Sequence, residues 1–242
     1  MIDKKKKIII VGATSGIGRE MALIYLSQGH LLGLTGRRGW LLDELKAQFP
    51  NQVTTACFNV QDAGVVNYLN NLNKAMEGFD LLIYNAGVGY PSKDLNVDAE
   101  VKTTLTNVNG FVATVNYAFT HFLQQGHGQL AIISSIAGLQ GNSWTPAYSA
   151  SKAFASNYAK SLNMKAFRMK TNIVVTDIRP GFINTKDAEG VSRFWAATPV
   201  KAAKQIVNAI DKKKRVAYIT KRWWLVAQLL KVLPYPVAKR IL

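Results

Sequence analysis

Tyr148-Ser149-Ala150-Ser151-Lys152 places a phenol and an ammonium four residues apart, a spacing that sets both on one face if the segment is helical. Such a pair can do proton chemistry. A tyrosine at its ordinary pKa of about 10 is a poor base at neutral pH, but a neighbouring cation favours the phenolate, so the two groups can exchange a proton with a substrate oxygen. Any helix surface can also carry a Tyr and a Lys at this spacing, and the pair gains meaning only from other groups in the same chain.

The segment Gly12-Ala13-Thr14-Ser15-Gly16-Ile17-Gly18 follows a short apolar run and opens a helix-like stretch. Glycines there let the backbone turn tightly and approach a pyrophosphate, whose charge the free N–H groups and dipole of the helix start stabilise. The spacing is GxxxGxG rather than GxGxxG, and glycine-rich turns also serve as plain structural loops. The next apolar run ends Leu34-Thr35-Gly36-Arg37-Arg38. A carboxylate at that place would accept from an unmodified ribose and repel a 2′-phosphate; two guanidiniums suit the phosphate instead. NADP(H) is therefore the expected cofactor, with NAD(H) the alternative if Arg37 and Arg38 are only solvated charge.

The elements that must carry these groups can be read from hydropathy. Apolar β-rich runs at 8–11, 31–35, 53–58, 81–84, 130–134, 173–178 and 216–219 alternate with helix-periodic stretches such as 18–28 and 41–49. Strands apolar on both faces and separated by helices predict a parallel sheet covered on both sides, a doubly wound, Rossmann-like α/β fold of about seven strands. With 242 residues, 48% of them hydrophobic, and no low-complexity linker, residues 1–220 read as a single dinucleotide-binding and catalytic domain. Residues 221–242 read as a basic amphipathic C-terminal extension.

The chain resembles the short-chain dehydrogenase/reductase family across about residues 7 to 220, because the family's motifs occur in the family's order. Gly12, Gly16 and Gly18 match its glycine motif, with Thr14, Ser15 and Ile17 between them. Asn85-Ala86-Gly87 matches its NAG signature, and Asn107 with Gly110 matches its NxxG. Ser134-Ser135-Ile136-Ala137-Gly138 matches SSxAG, and Pro180-Gly181 with Thr185 matches the motif after the sixth strand. The resemblance implies an NADPH-dependent carbonyl reductase in which Tyr148 is the acid/base. It implies that Lys152 tunes that tyrosine and holds the nicotinamide ribose, that Ser135 orients the substrate carbonyl, and that Asn107 holds a water near the lysine. Ser135 and Tyr148 would touch substrate, while Ile183 through its backbone and Thr185 would meet the nicotinamide carboxamide. Ser134 and Asn109 are the near neighbours set aside.

Two departures from the family pattern stand out. Val11 takes the place of the usual Thr before the first glycine, which leaves the backbone contacts to phosphate in place. Asn59, with Val60 beside it, replaces an Asp near the adenine, and an amide can still accept from the exocyclic amine.

The remaining features restrict the function more loosely. One cysteine, Cys57, excludes an internal disulfide, no Cys/His cluster suggests a metal, and a reducing, cytoplasmic setting is expected, with no apolar run near Met1 long enough for export. His30, His121 and His127 read as surface or capping residues. Trp144 and Trp195 fall in segments expected to flank the pocket, and the stretch 184–199, which holds Phe194 and Trp195, occupies the place of the family's substrate lid and favours an apolar substrate. From Lys201 onward eleven basic residues face one acid, Asp211, so ten of the sixteen net positive charges lie in the last 42 residues. The apolar run before Pro234, about eleven residues, is too short to span a bilayer. Its paired tryptophans and basic flanks suit a helix lying at a membrane surface, or packing against the core or a second subunit. Expected partners are a small carbonyl or alcohol substrate, a second copy in a dimer or tetramer, and peripheral membrane contact through the C-terminus. No nucleic acid is expected. An NAD-dependent alcohol dehydrogenase, or a non-catalytic nucleotide-sensing or membrane-surface protein on the same fold, are the rival readings; the intact Asn107, Ser135, Tyr148 and Lys152 oppose the second.

Overall fold

The computed structural model of the chain describes residues 5–92, 94–184 and 195–241. In order it contains β1 (Lys7–Val11), α1 (Gly16–Ser27), β2 (Leu31–Gly36), α2 (Gly39–Gln48), β3 (Val53–Cys57), α3 (Val65–Met76), β4 (Leu81–Tyr84) and α4 (Val97–Thr104). A π-helical turn (Leu105–Gly110) leads into α5 (Phe111–Gln125), then β5 (His127–Ile133), a 3-10 turn (Ile136–Leu139), α6 (Pro146–Arg168) and β6 (Asn172–Pro180). The chain closes with α7 (Pro199–Asp211), β7 (Val216–Ile219), α8 (Trp223–Val232) and α9 (Tyr235–Ile241).

The strands form one sheet in the order β3-β2-β1-β4-β5-β6-β7, and every neighbouring pair runs parallel. The sequence of β1 shows why: Ile8, Ile9, Ile10 and Val11 are all buried, so this strand has no water-facing side and needs cover on both. Ile8 and Ile10 pack into a core with Met21 and Tyr25 of α1, Leu42 of α2 and Ile206 of α7. Ile9 and Val11 face the opposite core, built from Leu69 of α3, Phe111 and Phe122 of α5, and Ala159 of α6. Because β2 and β3 lie on one side of β1 while β4 to β7 lie on the other, the chain reverses direction at the β1–β4 pair. The crevice beyond the carboxyl ends of these two strands is where an open parallel sheet binds ligands.

Two strands run beyond their apolar cores. β5 begins at His127 and β6 extends from Asn172 to Pro180, because polar ends continue the same ladder, with His127 opposite Asn172. Of the surface and capping roles expected for it, His30 takes the capping one, from inside the protein. It is buried, accepts from the Lys6 backbone N–H at 3.1 Å and lies against the Tyr25 ring, satisfying the start of β1 from inside. The segment from residue 221 does not project freely: Trp223 and Ala227 of α8 pack with Ile136 and with partly buried Leu139, Tyr218 and Val226. Among the described residues, no helix is long and apolar enough to cross a membrane.

Candidate active site

The glycine turn sits at the end of β1, held from both sides. Gly12 adopts φ +89°, and a Cβ there would lie 2.8 Å from the Ala86 backbone nitrogen, so Ala86 requires the glycine. Asn85 donates through Nδ2 to the Gly12 carbonyl at 2.7 Å and pins the turn to the end of β4. A Cβ on Gly18 would stand 2.0 Å from the Gly12 oxygen. Gly18→Ala is therefore expected to lower unfolding free energy by about 1–3 kcal/mol, the usual cost of forcing extra volume into a packed site; an unchanged denaturant midpoint would contradict the tight packing. No side chain caps the first turn of α1 and no acid stands in it, so its N–H groups and dipole remain directed at the turn.

Arg38 lies directly over this turn. Its Nε and Nη2 donate to Thr14 Oγ1 at 3.1 and 2.7 Å, and Nη2 also reaches Ser15 Oγ at 2.6 Å. Arg37 is exposed, and its carbonyl accepts from the Cys57 thiol at 3.7 Å. Both residues are exposed, and they differ in bonding: the Arg38 guanidinium is folded onto the turn, whereas the Arg37 bond is made by its backbone carbonyl. Asn59 uses its Oδ1 to accept from the Gln61 N–H at 3.2 Å, which would compete with an adenine amino group. Val60 is buried, and a Cβ on Gly110 would meet its carbonyl at 2.5 Å. Gly110 thus lets the π-helical turn settle on Val60.

The proton-chemistry groups gather at the ends of β4 and β5. Pro146 starts α6, and Tyr148 and Lys152 follow one turn apart, with the Lys152 Nζ 5.6 Å from the Tyr148 ring centroid. Lys152 is buried and donates to the Ile133 carbonyl at 3.0 Å. The π-helical turn carries Asn107 toward the same helix. Its Oδ1 accepts from the Val88 N–H at 2.9 Å, while Nδ2 donates to the Val88 carbonyl at 2.7 Å and to Ser151 Oγ at 3.0 Å. The side-chain amide is thus committed to Val88 and Ser151. Glycines leave room between these groups: a Cβ on Gly87 would stand 3.2 Å from Lys152 Nζ and 3.4 Å from Asn107 Oδ1, and one on Gly89 would meet the Tyr148 ring at 2.6 Å.

Burial pushes the Lys152 ammonium from its ordinary 10.5 down to about 8, partly offset by the upward pull of the Asp177 carboxylate. An unfolded chain keeps that proton up to about pH 10.5, whereas the folded protein releases it from about pH 8. Across that window the unfolded state binds more protons, so stability attributable to Lys152 rises with pH, while below it the full cost of the buried charge is present. Relative to Lys152→Met, the wild type should gain about 3 kcal/mol of unfolding free energy over this interval. Denaturant titrations of both proteins across the window check this, and a constant difference between them would contradict it.

The two adjacent serines are separated by their surroundings. Ser134 Oγ bridges the Asp177 carboxylate at 2.5 Å and the Ile178 carbonyl at 2.9 Å, inside the sheet. Ser135 instead caps the 3-10 turn, accepting from the Ala137 N–H at 3.1 Å, and its hydroxyl lies 3.4 Å from the Pro180 carbonyl. That turn rests on α6, since a Cβ on Gly138 would lie 2.5 Å from the Lys152 backbone carbon. Ser135 is therefore carried to the helix that bears Tyr148 and Lys152.

Several contributors were not visible in the sequence. Ser151, Val88 and the Ile133 carbonyl orient Asn107 and Lys152, and Asp177 lies beneath them, paired with Arg179 at 2.7 Å. Trp223 joins the site from the C-terminal segment. Of the alternatives open for the C-terminal run, packing against the core holds for this residue: it is 5% exposed and packs on the strand-six motif, where a Cβ on Gly181 would meet its ring at 2.2 Å. Phe182 and Trp195 meet the same indole edge-on, with centroids 5.3 and 6.3 Å away. Ile183 bridges to Ala197. Trp144 is exposed, and its carbonyl accepts from the Ser92 N–H at 2.8 Å, tying its loop to the segment after β4. Thr185 and Phe194 lie outside the described residues.

The family model for short chain dehydrogenases matches residues 6–194. An uncharacterized oxidoreductase of Mycobacterium tuberculosis is 32% identical, covering 98% of this chain and 97% of that protein. A protein named NADP-dependent 3-hydroxy acid dehydrogenase from Escherichia coli is 29% identical over 76% of this chain and 75% of its own length. Among solved structures, a short chain dehydrogenase from Burkholderia cenocepacia in complex with NADP superposes with a TM-score of 0.84 at 18% identity, covering 98% of each chain, a likeness of fold. Matched by the family model through β1 to β6 and by a relative along nearly all of its length, the chain belongs to the short-chain dehydrogenase/reductase family of NAD(P)-dependent oxidoreductases.

Proposed function

We propose that the protein reduces the carbonyl of a small apolar aldehyde or ketone to an alcohol, using NADPH in preference to NADH. The observation that carries this reading is the placement of Lys152, a buried ammonium below the Tyr148 ring and beside Gly87 and Asn107. The glycine turn, the uncapped start of α1 and Arg38 fit the phosphate-bearing half of the cofactor, and the space left by Gly87 fits its approach to Lys152. When bound, NADPH supplies the hydride. Tyr148 gives its phenolic proton to the substrate oxygen, and the Lys152 ammonium stabilises the phenolate left behind. Ser135, whose hydroxyl already points among backbone groups at the end of β5, orients the same oxygen. Asn107 fixes Val88 and Ser151, which keeps α6 in register with the strand ends. The name of the Escherichia coli relative supports the choice of NADP, and the apolar surface of Phe182, Trp195 and Trp144 supports an apolar substrate.

A panel of aldehydes and ketones with NADPH or NADH, run beside the matching alcohols with NADP⁺ or NAD⁺, tests the reading. Reduction with NADPH should be the fastest reaction in the panel. Alcohol oxidation with NAD⁺ outrunning it would favour the dehydrogenase reading instead.

A further inference from the structure

The helix α8 is apolar on two opposite sides. Its inner side is occupied: Trp223 and Ala227 are buried against Ile136, Gly181 and Phe182. On the outer side Leu225, Leu229 and Val232, spaced at helical intervals of four and three residues, are 63%, 61% and 75% exposed. A helix packed on a core normally shows water a polar back. Rotation of α8 cannot hide this stripe, because turning it would withdraw Trp223 from Gly181. Trp224 is exposed beside the stripe, and α9 continues the apolar surface with exposed Tyr235, Val237 and Ile241.

The charge around this surface identifies its occupant. Lys221, Arg222, Lys231, Lys239 and Arg240 are all exposed, and the chain has no acid from Lys212 onward. A second copy docking through this face in a two-fold pair would bring two such basic clusters together, which opposes association. An anionic lipid surface neutralises them. The ten-residue α8 is too short to span a bilayer but suits a helix lying in its plane, with aliphatic residues buried and aromatic residues at headgroup depth. We propose that the outer face of α8 with α9 docks on a membrane containing anionic phospholipid, holding the catalytic domain at that surface. This inference stands on the C-terminal helices and is independent of the reaction proposed above.

Co-sedimentation of the full chain with vesicles of phosphatidylcholine alone, or of phosphatidylcholine with phosphatidylserine, tests it at low and high salt. The wild type is expected to pellet with the anionic vesicles at low salt, to remain in solution with the neutral ones, and to release as salt is raised. Leu225→Glu/Leu229→Glu should abolish pelleting without changing the molar mass in solution or the thermal transition, since both leucines are exposed. Independently, Lys221→Gln/Lys239→Gln/Arg240→Gln should weaken binding about fivefold for each basic residue that lies near lipid. A wild-type protein that stays in the supernatant with anionic vesicles at low salt overturns the proposal. So does undiminished pelleting of both variants, and so does a fall in molar mass on the leucine substitutions, which would assign the face to a second copy.

Discussion

Tyr148→Phe is expected to reduce turnover by on the order of 10²–10⁴-fold, the usual contribution of a positioned acid or base, while NADPH affinity stays within about twofold of wild type, because the change removes one hydroxyl and retains the ring. The packing supports that separation. The ring face lies against Gly89 and near Lys152, so phenylalanine can occupy the same volume. Lys152→Ala should differ in kind, lowering turnover and cofactor affinity together, since the buried ammonium lies both below the phenol and beside the space at Gly87. Steady-state rates and cofactor titrations of the two variants distinguish these roles. Tyr148→Phe retaining more than about a tenth of the wild-type rate would remove Tyr148 from the reaction.

The second large effect concerns cofactor choice. NADPH should bind more tightly than NADH by about 2–4 kcal/mol, from charge-assisted contacts to the 2′-phosphate. Arg37→Gln/Arg38→Gln should erase most of that difference. Of the two, both exposed, Arg38 is expected to matter more, because its guanidinium is already bonded to Thr14 and Ser15 at the turn. Exchanging Gly36 for Asp is a poorer route to NADH preference than its place at the end of β2 suggests, because a Cβ there would lie 2.6 Å from Thr14 Cγ2 and disturb the turn itself. Equal affinity of the wild type for both cofactors would show that the arginines are surface charge.

The sequence made the sheet legible because its strands are buried on both faces, so Ile8 to Val11 and Leu81 to Tyr84 read as uninterrupted apolar runs. The glycine turn and the Tyr148–Lys152 pair were legible because their chemistry depends on neighbours within a few positions. What escaped was set by contacts distant in sequence. Lys152 meets the Ile133 carbonyl and the field of Asp177, neither of which any local pattern announces. Asn107 was recognisable by its motif, but that its side chain is committed to Val88 and Ser151 follows from the π-helical turn that aims it. Which of the open alternatives Trp223 takes was illegible for the same reason: only the return of the chain after β7 brings its indole onto Gly181. That His30 caps from inside and not at the surface was illegible, because one polar ring beside a strand has no periodicity to reveal that it is buried.

Transfer of deuterium tests the central claim most directly. Incubating the protein with an accepted aldehyde or ketone and NADPH deuterated at nicotinamide C4, on each face in turn, should give an alcohol carrying deuterium on its carbinol carbon from one of the two cofactors, with Tyr148→Phe giving almost none. Formation of that alcohol with the carbinol hydrogen drawn from solvent, or no alcohol from any carbonyl compound while NADPH is bound, would contradict reduction by hydride transfer at this site.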